Sequence, residues 1–210
     1  ADVSENGNGR WFLSSASGYG DVCAVDYDGS QRMAYADSRG SIRPVMECGD
    51  ISRIGCSLSK DISGFQEAEY GEYPQYAAAR SLARTLEQEY ADGRLIKTGK
   101  RYCSQYDEYQ HDGCRYIRAV CMTDVGCQLS DGRKYKAGDA TWIEISPVKW
   151  LYDAKAGLLA SRTILASGLQ FMHGNYYDGD FSKTEICRYL NTTFAADIIP
   201  GKLRELTLQE

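Results

Sequence analysis

The sequence predicts an α+β domain in which two amphipathic helices pack on twisted antiparallel sheets. Three observations support this fold class: apolar and polar residues alternate across 141–165, a helical pattern of apolar residues follows Pro74, and an Asp28-Gly29 pair separates two strand-like segments. A chain of 210 residues buries roughly 70% of the surface of its unfolded form, so one core is sufficient. We therefore expect a single domain over residues 1–210.

The first part of the chain is predicted to consist mainly of strands. Residues 1–9 are polar, and we expect them to be frayed. Asp28-Gly29 predicts a tight hairpin turn, because glycine accepts the positive φ that such turns require. The pattern Asp26-x-Asp28-Gly29 is also typical of part of a calcium loop, but the third acidic residue and the distant glutamate of such a loop are absent. A hairpin is therefore the preferred interpretation.

Two helices are predicted beyond the segment 49–66, which loses the alternation of the strands and indicates a connector. The first helix is expected to begin at Pro74 and to end before Gly93. The apolar residues that share one face of this helix are Tyr76, Ala79, Leu82, Ala83, Leu86 and Tyr90. The second helix is short, and Ser182 with Glu185 forms a capping box that predicts its start. Its predicted apolar face consists of Ile186, Tyr189, Leu190 and Phe194.

The segment 141–165 is predicted to be a β-meander that forms one wall of the core. Pro147 lacks a backbone N–H group, so we expect a break or bend between two strands at this position and not one continuous strand. Trp142 and Trp150 belong to the alternating pattern and bring a large apolar area. We therefore assign both tryptophans to the core and not to a binding site.

Composition disfavours several classes of function. The net charge is −5, and no cluster of basic residues is visible in the sequence, so we expect no nucleic-acid partner. No apolar run approaches the roughly 20 residues that cross a bilayer, so we expect no membrane insertion. We expect an extracellular or cell-surface location. No signal peptide opens the sequence, so an exported protein would already have lost its leader.

The cysteines and histidines give little support for a metal site. The eight cysteines contain no Cys-x-x-Cys pair, which argues against a zinc ribbon or a thioredoxin-type site. Disulfides and buried free thiols are both open interpretations. His111 and His173 are the only two histidines, so we expect no metal and no cofactor.

Four sequence blocks together indicate a resemblance to a known family. The blocks are Gly71-Glu72-Tyr73-Pro74-Gln75; Trp142 to Trp150; Ser182 to Phe194, with Tyr189-Leu190-Asn191 at its centre; and Arg10 to Met46, with Trp11-Phe12-Leu13-Ser14-Ser15 and Ile42-Arg43-Pro44-Val45. As a set they resemble a family of bacterial domains of unknown function. The resemblance implies a C-type-lectin-like fold.

The order of these blocks is reversed relative to that family, in which the block resembling Arg10 to Met46 closes the domain. The resemblance therefore implies a circular permutation, which close chain ends permit. Residues 10–48 would be the closing strands, 49–66 the connector, and 67–210 the opening strand, the helices and the central meander. In the rival interpretation, the first 50 residues finish a preceding copy and the rest begin a second copy. Pairing of residues 10–47 with the meander is the test.

The candidate binding surface is rich in tyrosine. Tyrosine, serine, glycine and aspartate are mixed between Ser14 and Asp28, which is typical of adaptable recognition surfaces. In lectin-like proteins, loops near the closing strands form the ligand face, and the triplets that hold sugars through calcium are absent here. We expect a non-enzymatic recognition module for a protein or glycan ligand, without calcium. The candidate ligand-binding residues are Trp11, Tyr19, Asp21, Tyr27, Tyr176, Tyr177, Asp178 and Asp180.

Two alternatives belong to other classes of function. His173 could lie near Asp178 or Cys187, which would supply a base with a carboxylate or thiol for an enzyme. The chain could also be a structural domain of a surface assembly. A cleft that brings His173 within hydrogen-bonding reach of a thiol or carboxylate would favour the enzyme, whereas a shallow aromatic surface would favour binding.

Overall fold

The computed structural model describes residues 10–48, 51–54, 56–62, 64–122, 127–129 and 132–198. The predicted frayed segment 1–9 and part of the predicted connector lie outside these residues. The strands are β1 (Trp11–Ala16), β2 (Val22–Val25), β3 (Gln31–Ala34), β4 (Arg39–Ile42), β5 (Val45–Glu47), β6 (Ser57–Ile62), β7 (Phe65–Ala77), β8 (Ile96–Tyr102), β9 (Tyr106–His111), β10 (Cys114–Val120), β11 (Cys127–Gln128), β12 (Lys134–Tyr135), β13 (Ala140–Asp153), β14 (Leu158–Ser161) and β15 (Ala166–Gln170). The α-helices are α1 (Arg80–Ala91), α2 (Glu185–Tyr189) and α3 (Ala195–Ile198), with 3-10 helices at Ile51–Ile54 and Phe181–Lys183 and a π-helical turn at Leu190–Phe194.

Most of the strands belong to one antiparallel sheet with the order β5-β14-β13-β10-β9-β8. Strand β7 also pairs with β13, and β6 pairs with β7. A three-stranded sheet, β1-β2-β3, and the pair formed by β4 and β15 contribute side chains to the same core. The protein therefore has the predicted mixture of helices and mostly antiparallel sheets.

The organising strand is β13, which continues through Pro147 without interruption. The prediction of two strands that meet at a break or bend here is therefore wrong, because β13 is one continuous strand. The register between β13 and β7 shifts between Pro147 and Lys149, so the proline is accommodated at an irregularity of the ladder. The side-chain amide Nε2 of Gln75 donates to the carbonyl oxygens of Ser146 at 2.9 Å and of Pro147 at 3.0 Å. Hydrogen bonds from this side chain thus stabilise the irregular part of the strand.

Helix α1 begins at Arg80, later than predicted. Pro74 and Tyr76 lie in β7, where they pair with residues of β13, because the long ladder outweighs their helical spacing. The predicted apolar face is present farther along, where Leu86 is fully buried beside Trp142. Gly93 follows the helix with φ +68°, which confirms the predicted end.

Glu87 links α1 to the sheet. Its carboxylate accepts hydrogen bonds from Arg118 Nη2 at 2.7 Å and from Trp142 Nε1 at 2.9 Å. The hydrogen bond from Arg118, and then that from the indole, lower the pKa of Glu87 below its usual value. The helix is therefore fixed to β10 and β13 by charge as well as by apolar contacts.

The hairpin and connector predictions had different outcomes. Asp28-Gly29 lies between β2 and β3, and Gly29 has φ +86°, as the hairpin prediction requires. The predicted connector 49–66, however, contains β6 and the start of β7. Strand β6 has six residues that mix polar, charged and apolar types, so its sequence alone predicts a strand only weakly. Pairing with β7 determines its structure.

The N-cap of the second predicted helix lies two residues later than predicted. Thr184, and not Ser182, is the N-cap of α2, and its Oγ1 accepts a hydrogen bond from the Cys187 N–H group at 3.0 Å. Ser182 lies in the preceding 3-10 helix, which is capped by Asp180. The predicted apolar face is confirmed, since Ile186, Leu190 and Phe194 are buried.

The core draws on both ends of the chain. Trp142 and Trp150 are 1% and 0% exposed, so their assignment to the core is confirmed. Strand β5 pairs with β14, and β4 pairs with β15, so residues 10–48 join the sheets of the last third of the chain. No helix within the described residues is long and apolar enough to cross a membrane.

Candidate functional site

Two loops that are far apart in the sequence meet at one end of the β1–β2 pair. The 17–20 turn is closed by a hydrogen bond from the Ser17 N–H group to Asp21 O at 2.8 Å. Its Gly20 carbonyl accepts a hydrogen bond from the Tyr177 N–H group at 2.6 Å, and the ring of Tyr176 lies directly against Gly20. A Cβ atom at Gly20 would be only 2.6 Å from Tyr176 Cε2. Glycine is therefore required where the two loops touch.

A third turn lies beside these two. Val22 at the start of β2 pairs with Ala34 at the end of β3, so the 35–38 turn follows directly opposite the 17–20 turn. This turn is also hydrogen-bonded to the chain just before His173, through Phe171 N–H to Ser38 O at 3.1 Å. The three turns 17–20, 35–38 and 173–176 are therefore neighbours.

Each of the three turns exposes one tyrosine. Tyr19, Tyr35 and Tyr176 are 85%, 75% and 65% exposed, more than any other tyrosine in the described part of the chain. We call these three residues the three-tyrosine surface. Large exposed aromatic groups that gather in one place are typical of interaction sites, whereas single ones are normal on any protein.

Charged groups adjoin the three-tyrosine surface. Lys183 Nζ lies 2.7 Å from Asp178 Oδ2 and 3.1 Å from Asp180 Oδ2. The hydrogen bond from Lys183, followed by that from the Asp180 N–H group, lowers the pKa of Asp178. A hydrogen bond from Ser182, followed by that from Lys183, lowers the pKa of Asp180. Both carboxylates therefore stay ionised at neutral pH. Asp178 and Asp180 form an acidic edge of the surface, and Lys183 is the cation between them.

The structure divides the predicted ligand-binding residues into three groups. Tyr19, Asp21, Tyr176, Asp178 and Asp180 lie together in the neighbouring loops described above. Tyr177 is in the same loop, but its side chain is 2% exposed and its hydroxyl donates to Ser14 O at 2.5 Å. It is therefore a core residue and not a contact for a surface ligand.

Trp11 and Tyr27 form the third group, at the opposite end of β1. Five residue steps separate Trp11 from Ala16, which is roughly 17 Å along an extended strand. The Arg10 guanidinium covers the ring of Tyr27 at 4.4 Å and is bound by Asp26 at 2.6 Å. These two aromatic residues are therefore separate from the three-tyrosine surface.

The cleft beside His173 has a cavity of about 420 Å³. His173 is 73% exposed, and its Nε2 lies 3.6 Å from Glu185 Oε1, beyond hydrogen-bonding distance. Arg188 forms an ion pair with the same carboxylate. The described residues contain no group of three or more histidine, cysteine, aspartate or glutamate side chains that could hold a metal. Cys23, Cys56, Cys103 and Cys114 are free thiols.

Sequence reasoning missed Tyr35, which lies in a turn with no unusual motif. The signal that could have found it is the β2–β3 hairpin, because the register set by Asp28-Gly29 places residues 21 and 35 opposite each other. Comparisons of the chain with protein-family models, with curated proteins and with solved structures found no match.

Proposed function

We propose that this chain is a non-enzymatic recognition module that binds a protein or glycan ligand through the three-tyrosine surface, without calcium. One observation carries the proposal: two turns that flank the β2–β3 hairpin and one turn from residues 173–176 are neighbours, and each exposes a tyrosine. A tyrosine offers a large amphipathic contact and loses little side-chain entropy on binding. The arrangement therefore suits recognition.

The charged groups complement the rings. The ionised carboxylates of Asp178 and Asp180 accept hydrogen bonds from ligand hydroxyl, amide or ammonium groups, and Lys183 can donate to ligand oxygens. Ring faces beside fixed carboxylates suit a polyhydroxylated ligand or a polar peptide. Such a surface needs no metal ion to orient its polar groups.

With this function we propose a C-type-lectin-like fold with permuted sequence blocks. Its support is the pairing of β5 with β14, which joins residues 10–47 to the 141–165 segment within one chain. The three-tyrosine surface lies on loops that follow β1, β3 and β15. In a permuted lectin-like domain, these are the loops next to the closing strands.

The proposal is tested by glycan-array binding and partner pull-down with the whole chain. We expect Tyr19→Ala and Tyr35→Ala each to weaken binding about tenfold, as central aromatic contacts do. Tyr76→Ala is the matched control, because Tyr76 is 46% exposed but lies on β7. Binding should also persist in a calcium chelator. A ligand that binds both variants as tightly as the wild type would contradict the proposal, and so would the absence of any binder.

A second candidate function is an enzyme that uses the His173 cleft. The observation in its favour is the position of His173 near Glu185 at the wall of the cleft. The ion pair between Arg188 and Glu185 weighs against it, because it occupies the carboxylate that would orient the imidazole. Hydrolysis of ester or glycoside substrates that is abolished by His173→Gln would favour this candidate.

A further inference from the structure

A second cavity of about 350 Å³ lies away from the three-tyrosine surface, between β1, β5 and the C-terminal helices. Its walls are mainly apolar and include Phe12, Pro44, Phe181, Ile186 and Leu190. Its size falls within the range of roughly 300–1,000 Å³ that small-molecule sites occupy. Trp11 and Arg43 line the same cavity and supply its aromatic face and its charge.

The guanidinium of Arg43 is fixed in place. It stacks on the ring of Trp11 at 4.9 Å. Its Nε and Nη2 both donate to the carbonyl oxygen of Ser161, at 3.1 and 2.8 Å. A guanidinium carries five N–H bonds, so three remain for another acceptor, including both on Nη1. The group is thus oriented before any ligand arrives.

Arg43 has no carboxylate partner within 4 Å among the described residues, and burial lowers its pKa. Other partly buried arginines are paired: Arg115 with Glu72 at 2.5 Å, and Arg118 with Glu87 at 2.7 Å. A partly desolvated cation costs free energy unless an anion compensates it. The arginine at this apolar cavity therefore lacks the counter-charge that the paired arginines have.

We propose that this cavity binds a small carboxylate with an apolar body. The body occupies the space between β1 and the C-terminal helices, and its flat face can lie against Trp11. The carboxylate accepts hydrogen bonds from the free N–H groups of Arg43, which carry the charge that an anionic ligand neutralises. This site is distinct from the three-tyrosine surface, because none of Tyr19, Tyr35 and Tyr176 lines the cavity.

The probes are cinnamate and its neutral isostere cinnamamide, titrated into the isotopically labelled whole chain. Binding is followed at the indole N–H signals of the three tryptophans, with Trp11 assigned by Trp11→Phe. We expect both probes to shift the Trp11 signal, and cinnamate to bind about tenfold more tightly, the factor that charge-assisted hydrogen bonds provide. Trp142 and Trp150 are buried elsewhere and should respond less.

Three variants separate the charge from the cavity. Arg43→Gln should abolish the preference for cinnamate, whereas Arg84→Gln, which removes an equal charge from the exposed face of α1, should leave it intact. Ala160→Leu should weaken the binding of both probes, because Ala160 lines the cavity and the larger side chain fills it. If Arg43→Gln does not fold, this variant and the affinities of the wild type for cinnamate and cinnamamide still test the proposal. Equal affinity of the wild type for the two probes would overturn the proposal. Millimolar probe that leaves the Trp11 signal unmoved would do the same.

Discussion

The contact between Gly20 and Tyr176 gives a sharp prediction about stability. In Gly20→Ala, the new methyl group would collide with the Tyr176 ring, and alanine would have to adopt φ +82°. The backbone strain alone costs about 1 to 2 kcal/mol. Gly29→Ala is the matched control, because Gly29 has φ +86° and open space around its Cβ position.

The additional cost follows from the displaced ring. Tyr176 is 65% exposed, so about a third of its surface is covered, or roughly 70 Å² of a tyrosine. At about 25 cal/mol per Å², loss of this contact costs at most about 2 kcal/mol. Gly20→Ala should therefore lower the free energy of unfolding by about 1 to 2 kcal/mol more than Gly29→Ala.

Urea titrations followed by tryptophan fluorescence measure both free energies of unfolding. A double-mutant cycle isolates the contact: when Tyr176→Ala is already present, Gly20→Ala should cost no more than Gly29→Ala. If Gly20→Ala and Gly29→Ala cost the same in the wild-type background, the two loops do not pack as described. The packing argument would also fail if the cycle showed no coupling between positions 20 and 176.

Two further predictions concern ionisable groups. The lowered pKa of Glu87 means that its ionised form stabilises the fold above the ordinary value of 4.5, and this stability is lost as the pH falls through the lower folded-state pKa. The difference in unfolding free energy between the wild type and Glu87→Gln should therefore shrink in acid, and a constant difference from pH 7 to pH 3 would refute this. Burial, and then the nearby Cys48, raise the pKa of the Cys56 thiol to about 11. Iodoacetamide should therefore label Cys56 far more slowly at pH 8 than the exposed Cys114, because the thiolate is the form that reacts. Peptide mass spectrometry measures both labelling rates. Equal labelling rates of Cys56 and Cys114 at pH 8 would contradict the raised pKa of Cys56.

The fold could be predicted from the sequence where local and tertiary preferences agree. Asp28-Gly29 fixed a hairpin because the turn itself requires glycine, and Trp142 and Trp150 lay in a clear alternating pattern. Pro74 misled the helix prediction, since a proline suits the first turn of a helix but is also accepted at an irregularity of a ladder. Only the pairing of β7 with β13 decides between the two, and that pairing is not a local property.

The candidate site was only partly predictable for a similar reason. Tyr19 and Tyr176 stood out because of their Gly- and Asp-rich surroundings, which indicate exposed turns. Tyr177 has the same surroundings, yet it is buried, because its hydroxyl finds an acceptor in Ser14 far away in the sequence. The lack of a carboxylate near Arg43 in the described part of the chain is likewise not visible in the sequence, because it depends on how the surrounding strands are placed.

The pairing of β5 with β14 has a consequence for the order of events during synthesis. Glu47 pairs with Leu158, more than a hundred residues later in the chain. At roughly 5–20 residues per second, the ribosome needs on the order of ten seconds to make that interval, and β5 has no partner meanwhile. Such non-local pairing also slows folding, because the intervening chain must be ordered first. Strand β5 is therefore the first strand of the large sheet to be synthesised but among the last to pair. Until it pairs, the free edge of β14 is open to strands of other nascent chains.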